Sequence, residues 1–327
     1  MTQPATPQNG PESRTGSSCA PELRAEGVSL GYDQSRIIDN LDLEVIPGAI
    51  TVIVGANASG KSTLLKGLAR LLKPDAGQVT LGGRNIAALP GKKVATVVGL
   101  LPQQPVAPDG ITVADLVGRG RYPHQGWFRQ WLSTDGETVA AAMAATNTDQ
   151  LATRRLEDLS GGQRQRVWIA MALAQDPEIL LLDEPTTFLD VTHQIEVLDL
   201  LLERNRERGT TVVMVLHDLN LAARYADHLV VMRSGRIVAN GAPAETLTAE
   251  IVREAFDLEA LITPDPVCGS PMVVPIGRFH GRARSAASDC AAPCAAPPIA
   301  TPAAPAVPPT AAPEAAPEFR RIERVSI

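Results

Sequence analysis

Two short stretches carry residues arranged for chemistry. The first is Gly55-Ala56-Asn57-Ala58-Ser59-Gly60-Lys61-Ser62-Thr63, which fits G-x-x-x-x-G-K-[ST]. The β-branched run ITVIV (50–54) precedes it and the helical pattern KSTLLKGLARLL (61–72) follows. Glycines let backbone N–H groups approach phosphate oxygens, and a helix N-terminus adds partial positive charge. Lys61 is placed to reach the β- and γ-phosphates of a nucleotide and Ser62 to ligate Mg²⁺. The bland alternative, a turn that binds nothing, fits poorly with a strand before and a helix after. The second stretch is ILLLDEP (179–185). Asp183 is suited to hold Mg²⁺ through water, and Glu184 to orient or deprotonate an attacking water, work that contributes about 10²–10⁴-fold in rate. An acid pair at a strand end is ordinary alone. Beside a phosphate loop it completes a hydrolytic set.

Three further residues gain meaning only from that set. Gln103 follows the apolar run VVGLL (97–101) and is placed to reach both metal and water; alone it reads as an exposed loop residue. His217 ends VVMVL (212–216), where a structural histidine is the commoner case; next to the Asp183 strand a γ-phosphate contact becomes available. Tyr32, upstream of the phosphate loop, suits either stacking on adenine or core packing.

LSGGQRQR (159–166) is a second helix start built for an anion. Ser160 and Gln163 have capping-box spacing, so both fit as caps of their own helix. Gly161 and Gly162 are not needed for that, and glycine costs about 1 kcal/mol relative to alanine in a helix. The expectation is close approach by a ligand. The chain's own loop already cradles one nucleotide, so this site is assigned to the nucleotide of a second copy, with Asp190 near the same interface.

These groups need elements to hold them. The runs at 50–54, 97–101, 179–182 and 212–216 are continuously apolar and end in polar residues. Such runs suit strands buried on both faces of a parallel sheet, and ligands bind at the carboxyl ends of such strands. LAARYADHL (221–229) reads as a helix, VVMRSGRIV (230–238) as a hairpin at an antiparallel edge, and 111–158 as mainly helical, with Trp127, Phe128 and Trp131 inside it. Residues 1–20 are polar and rich in Pro, Ser and Gly, and 280–327 begin an Ala/Pro-rich tail; both are read as disordered, leaving 21–279 as the folded unit.

Composition sets the outer limits. Of 327 residues, 44% are hydrophobic, enough for a sizeable core. The net charge of −6, dispersed Lys and Arg, and 3% aromatics argue against nucleic acid as a partner. No run is long enough to cross a bilayer, and the N-terminus lacks a secretory pattern. Cys19, Cys268, Cys290 and Cys294 do not form a disulfide framework, which fits a reducing compartment. Cys290 and Cys294 stand close enough to pair or share a metal, but no further ligands accompany them.

Together these residues resemble the ATP-binding subunit of ABC transporters. The set is Tyr32, GANASGKST, Gln103, LSGGQ, LLLDEP, the loop ending at Asp190, and His217, in the family's order. The resemblance implies an α/β P-loop NTPase fold: a mostly parallel core sheet, an antiparallel β subdomain, and a helical subdomain at about 106–160. It also implies two ATPs sandwiched between two subunits, with Mg²⁺, and Ser160, Gly161 and Gly162 acting across the pair. The chain would work at the cytoplasmic face of the membrane, on a separate permease docked at 111–158 and the Gln103 loop. GRGRYPHQ (118–125), DEPTTFLDVTHQIEVLDLL (183–201) and VLHDLNLAARYADHLVVMRSGRIVANGAP (215–243) are similar to the narrower group of ferric-siderophore importers, which also implies a siderophore-binding protein. DPVCGSPMVVPIGR (265–278) looks most like members importing catecholate siderophores. Import of haem or cobalamin, or a soluble role on DNA or ribosomes, are the alternatives. One departure stands in the phosphate loop: Ala56 and Ala58 occupy positions where the family usually has Pro and Gly. Ala58 removes a permissive position, so the expectation is a backbone conformation open to non-glycine residues. Binding is expected to survive because Gly55, Gly60, Lys61 and Ser62 remain.

Overall fold

The computed structural model describes residues 21–33, 35–125 and 133–277. The chain opens with β1 (Leu23–Tyr32) and β2 (Ser35–Val45), then β3 (Ile50–Gly55), α1 (Lys61–Leu68), β4 (Ala76–Leu81) and β5 (Arg84–Asn85). Helix α2 (Gly91–Val97) leads into β6 (Val98–Leu101), followed by α3 (Val113–Gly118), α4 (Ser133–Ala145) and α5 (Gly161–Ala174). The rest alternates: β7 (Ile179–Asp183), α6 (Val191–Arg208), β8 (Thr211–Val215), α7 (Leu219–Tyr225), β9 (His228–Arg233) and β10 (Arg236–Gly241). It closes with α8 (Pro243–Thr246), α9 (Ala249–Phe256), β11 (Ala260–Pro264) and β12 (Pro271–Pro275).

Six strands form the central sheet in the order β10-β9-β3-β8-β7-β6. The five from β9 to β6 run parallel, and β10 is the antiparallel edge expected of the 230–238 hairpin. Each core strand is buried on both faces, with alternate side chains serving different cores. Val52, Val54, Leu180, Leu182, Val212 and Met214 join α5 and α6 on one face. Ile53, Ile179, Leu181, Val213 and Val215 join α1 and the antiparallel sheet β2-β1-β4-β5 on the other. That double burial is why the sequence shows runs rather than alternation.

Element limits differ from expectation at several ends, and three of the differences have a visible cause. Val97 belongs to α2, so β6 starts at Val98. Helix α1 stops at Leu68, because Arg70 turns left-handed (φ 61°) and Leu71 N–H closes back on Lys66 O at 2.8 Å. Helix α7 ends at Tyr225, since Asp227 exchanges hydrogen bonds with the Ile50 backbone (2.8 and 2.9 Å) and delivers His228 into β9. The stretch 111–158 is mainly helical where described, with 3₁₀ turns at Arg119–His124, Asp149–Leu151 and Leu156–Asp158 and a short antiparallel bridge between Thr112 and Arg155. Trp127, Phe128 and Trp131 lie outside the described residues, as do Cys19, Cys290 and Cys294. Among the described residues no helix is long and apolar enough to cross a membrane.

Candidate functional site: a nucleotide-hydrolysing centre

The site lies at the carboxyl end of the central sheet. Strand β8 runs between β3 and β7, so the phosphate loop, His217 and the acid pair emerge from three neighbouring strands. Leu101 pairs with Leu182 in register, which brings Gln103 to the same end, exposed and one strand beyond Asp183.

The phosphate loop is shaped by close backbone approach. Gly60 takes φ 101° as the N-cap of α1, a conformation L-residues rarely adopt. A Cβ on Gly55 would come within 2.2 Å of Met232 O, so only glycine fits there. Ser59 O accepts from Gly235 N–H at 2.9 Å, anchoring the loop to the β9–β10 turn. Ala58 departs from expectation. It has φ 60°, inside the left-handed region, although it carries a Cβ. The loop's geometry overrides the residue's preference, and the chain bears the strain that glycine would avoid.

Lys61 curls back over this loop. Its Nζ donates to Gly55 O (2.8 Å), Ala56 O (2.9 Å) and Ser59 Oγ (3.4 Å). Burial pushes its ammonium pKa down, and the charges of Glu184 and Asp183 pull it partly back. Ser62 Oγ donates to Asp183 Oδ1 at 2.9 Å. Asp183 is only 2% exposed. Burial pushes its carboxyl upward; the Ser62 hydrogen bond opposes this, Glu184 adds to it, and Lys66 and Lys61 oppose it. A buried carboxylate beside a hydroxyl is a hard-oxygen donor set that suits Mg²⁺, which needs only one or two protein oxygens beside phosphate and water.

Glu184 follows the strand with φ 54°, another left-handed residue. Such strain collects at functional sites. Its Oε1 lies 2.6 Å from His217 Nε2, and its Oε2 accepts from Thr187 Oγ1 at 3.2 Å. His217 is therefore joined to the second acid of the pair. Thr187 was not anticipated; its only trace in the sequence is a hydroxyl three residues after Glu184. Tyr32 is 42% exposed, so core packing is not its role. Lys66 Nζ lies 3.4 Å from its hydroxyl and 5.7 Å from the ring centroid.

The second helix start behaves partly as the bland reading expects. Ser160 Oγ accepts from Gln163 N–H (3.3 Å), and Gln163 Oε1 accepts from Ser160 N–H (3.1 Å), a complete capping box. Gly161 and Gly162 have no left-handed φ. A Cβ on either would meet only ordinary contacts, at 3.5 Å from Phe188 Cβ and 3.4 Å from Phe188 O. Nothing among the described residues requires glycine there. Gln165 Nε2 donates to Pro185 O at 3.0 Å, tying this helix to the acid-pair loop, a link the sequence did not reveal. Asp190 caps α6 through His193 N–H (2.9 Å) and contacts the His193 ring (Nδ1, 2.7 Å), with most of its side chain exposed.

A strand–phosphate loop–helix unit with a buried acid pair on a nearby parallel strand defines a P-loop nucleotide hydrolase. The chain matches the family model described as "ABC transporter" over residues 38–187. It is 53% identical over 262 residues to the probable siderophore transport system ATP-binding protein YusV of Bacillus subtilis (strain 168), spanning 80% of this chain and 94% of that one. It is 52% identical over 256 residues to the ferric enterobactin transport ATP-binding protein FepC of Escherichia coli (strain K12), spanning 78% and 94%. The dimeric structure of MJ0796, a bacterial ABC transporter cassette, superposes with a TM-score of 0.61 at 28% identity, over 67% of this chain and 98% of that one. The protein belongs to the ATP-binding subunits of ABC transporters, and it binds and hydrolyses ATP.

Proposed function

We propose that this protein powers import of a ferric siderophore, working as a pair of copies on a separate membrane permease at the cytoplasmic face. The observation that carries the chemistry is the double junction Ser62–Asp183 and Glu184–His217, formed where three adjacent strands end. The relatives' siderophore cargoes support the cargo class, and catecholate is its narrowest form. A siderophore-binding protein outside the membrane would deliver the cargo.

Each residue has a defined task. The Lys61 ammonium exchanges the carbonyls of Gly55 and Ala56 for β- and γ-phosphate oxygens, while loop N–H groups hold the rest. Tyr32, 42% exposed, stacks on adenine. Ser62 and Asp183, with Gln103, would hold Mg²⁺, which when bound neutralises charge on the β- and γ-oxygens. Glu184 takes the proton of the attacking water. His217 keeps that carboxylate aimed and faces the γ-phosphate. Ser160, Gly161, Gly162 and Gln163 of one copy meet the γ-phosphate held by the other, with Asp190 beside them. ATP favours the closed pair because only that form contacts it from both sides, and hydrolysis reopens the pair.

The test is uptake of radioactive iron by cells lacking this gene, complemented with the native chain or with Glu184→Gln. Iron would be supplied as a catecholate or a hydroxamate complex, with labelled cobalamin in parallel. Loss of catecholate-iron uptake alone, restored only by the native chain, is expected. Normal entry of every cargo in a deleted strain without a second importer would reject the siderophore assignment.

A further inference from the structure

His217 lies midway between Val215, the end of β8, and Leu219, the start of α7, so both elements aim it. The upstream side is fixed by the sheet, where Leu216 N–H donates to Ile53 O at 3.2 Å. The downstream side depends on α7, which has only 7 residues. A helix this short is marginal in water unless other segments hold it. Asp218, next to His217, caps it by accepting from Asn220 N–H (2.8 Å) and Leu221 N–H (2.9 Å). Three of its side chains then reach three distant places. Tyr225 Oη donates to Asp199 of α6 at 2.7 Å, Arg224 donates to Asp265 after β11 at 2.6 Å, and Asn220 bonds β12 itself.

The Asn220 bond is two-sided. Its Oδ1 accepts from Val273 N–H at 2.7 Å, and its Nδ2 donates to Val273 O at 3.3 Å. Val273 is 4% exposed and pairs with Ile262 in the two-stranded β11–β12 sheet. A buried backbone N–H and C=O must find partners. The side-chain amide, shaped like a peptide group, does on that edge what a third strand would do. We infer that Asn220 is a positioning residue for hydrolysis. By bonding Val273 it fixes α7 to the hairpin, and α7 fixes His217 at the angle that brings Nε2 to Glu184 Oε1 at 2.6 Å. The β11–β12 hairpin is then part of the support of the reaction, acting through one short helix. The inference rests on the role proposed for His217.

The experiment measures ATP hydrolysis by the full chain and by Asn220→Ala, His217→Ala and the double variant. Single-turnover assays on radiolabelled ATP read the slowest of them. Fluorescent-nucleotide binding reads affinity, and thermal melting checks the fold. A misplacement of about 1 Å can cost about 10²-fold, so a smaller release should lower kcat of Asn220→Ala about tenfold. KM and nucleotide affinity should stay within about twofold. In the His217→Ala background the same change should cost less than about twofold, because groups acting as a unit are not additive. An equal loss in both backgrounds overturns the positioning role, since Asn220 then acts on something other than His217. Native kcat in Asn220→Ala, with His217→Ala impaired, also overturns it and leaves His217 in its role. Native kcat in His217→Ala overturns the role of His217 and the inference together. If Asn220→Ala melts below the assay temperature, Asn220→Asp, which keeps the acceptor for Val273 N–H, enters the same comparison under the same criteria.

Discussion

Replacing Ala58 by glycine should stabilise the protein. Ala58 sits at φ 60°, and a left-handed conformation costs an L-residue roughly 1–2 kcal/mol. Glycine relieves that cost but gives the unfolded chain more freedom, which removes about 0.4–1 kcal/mol. The difference leaves a net gain on the order of 0.5–1 kcal/mol. For a unit of this size, 1 kcal/mol moves Tm by about 2–4 °C, so Ala58→Gly should raise it by ~1–4 °C. Differential scanning calorimetry with and without ATP measures this. Ala56→Gly is the internal control. Its backbone is not left-handed, so it should lose about 0.4–1 kcal/mol by the unfolded-state argument alone. If Ala58→Gly melts lower, or both variants shift alike, the strain assigned to residue 58 is absent and the loop adopts the ordinary conformation expected from the sequence.

Two further outcomes follow from the site and its supports. His217→Ala removes the 2.6 Å contact to Glu184, so kcat in steady-state ATPase assays should fall by about 10²-fold or more, with nucleotide affinity little changed. Near the carboxyl end of the folded unit, Arg224 and the Val267 N–H hold the Asp265 carboxyl below the usual carboxylate range. A depressed pKa adds stability above the ordinary carboxylate pKa and loses it as pH falls through the folded-state value. Arg224→Met should therefore move the acid-unfolding midpoint to higher pH in circular dichroism, while leaving the shape of the curve near neutral pH unchanged.

Much of the site could be read before any coordinates, because its chemistry is local. The phosphate loop lies in nine consecutive residues, the acid pair in two, and the capping box of Ser160 and Gln163 in four. Short-range geometry specifies each. The core strands were legible for a related reason: burial on both faces writes an unbroken apolar run. The antiparallel sheet and the β11–β12 hairpin left no such run. One face of each is solvated, and their pairing joins distant segments, as Leu23 with Leu81. Sequence alone also misjudged Ala58, since an alanine carries no mark of the φ that its neighbours impose. His217 was expected beside the Asp183 strand, but only the fold joined it to Glu184, brought Gln165 to Pro185, and turned Phe188 outward while burying Leu189. Those are contacts between segments far apart in the chain, or directions taken within a turn. They depend on strand order and on which side of a loop faces the core, and a linear string records neither.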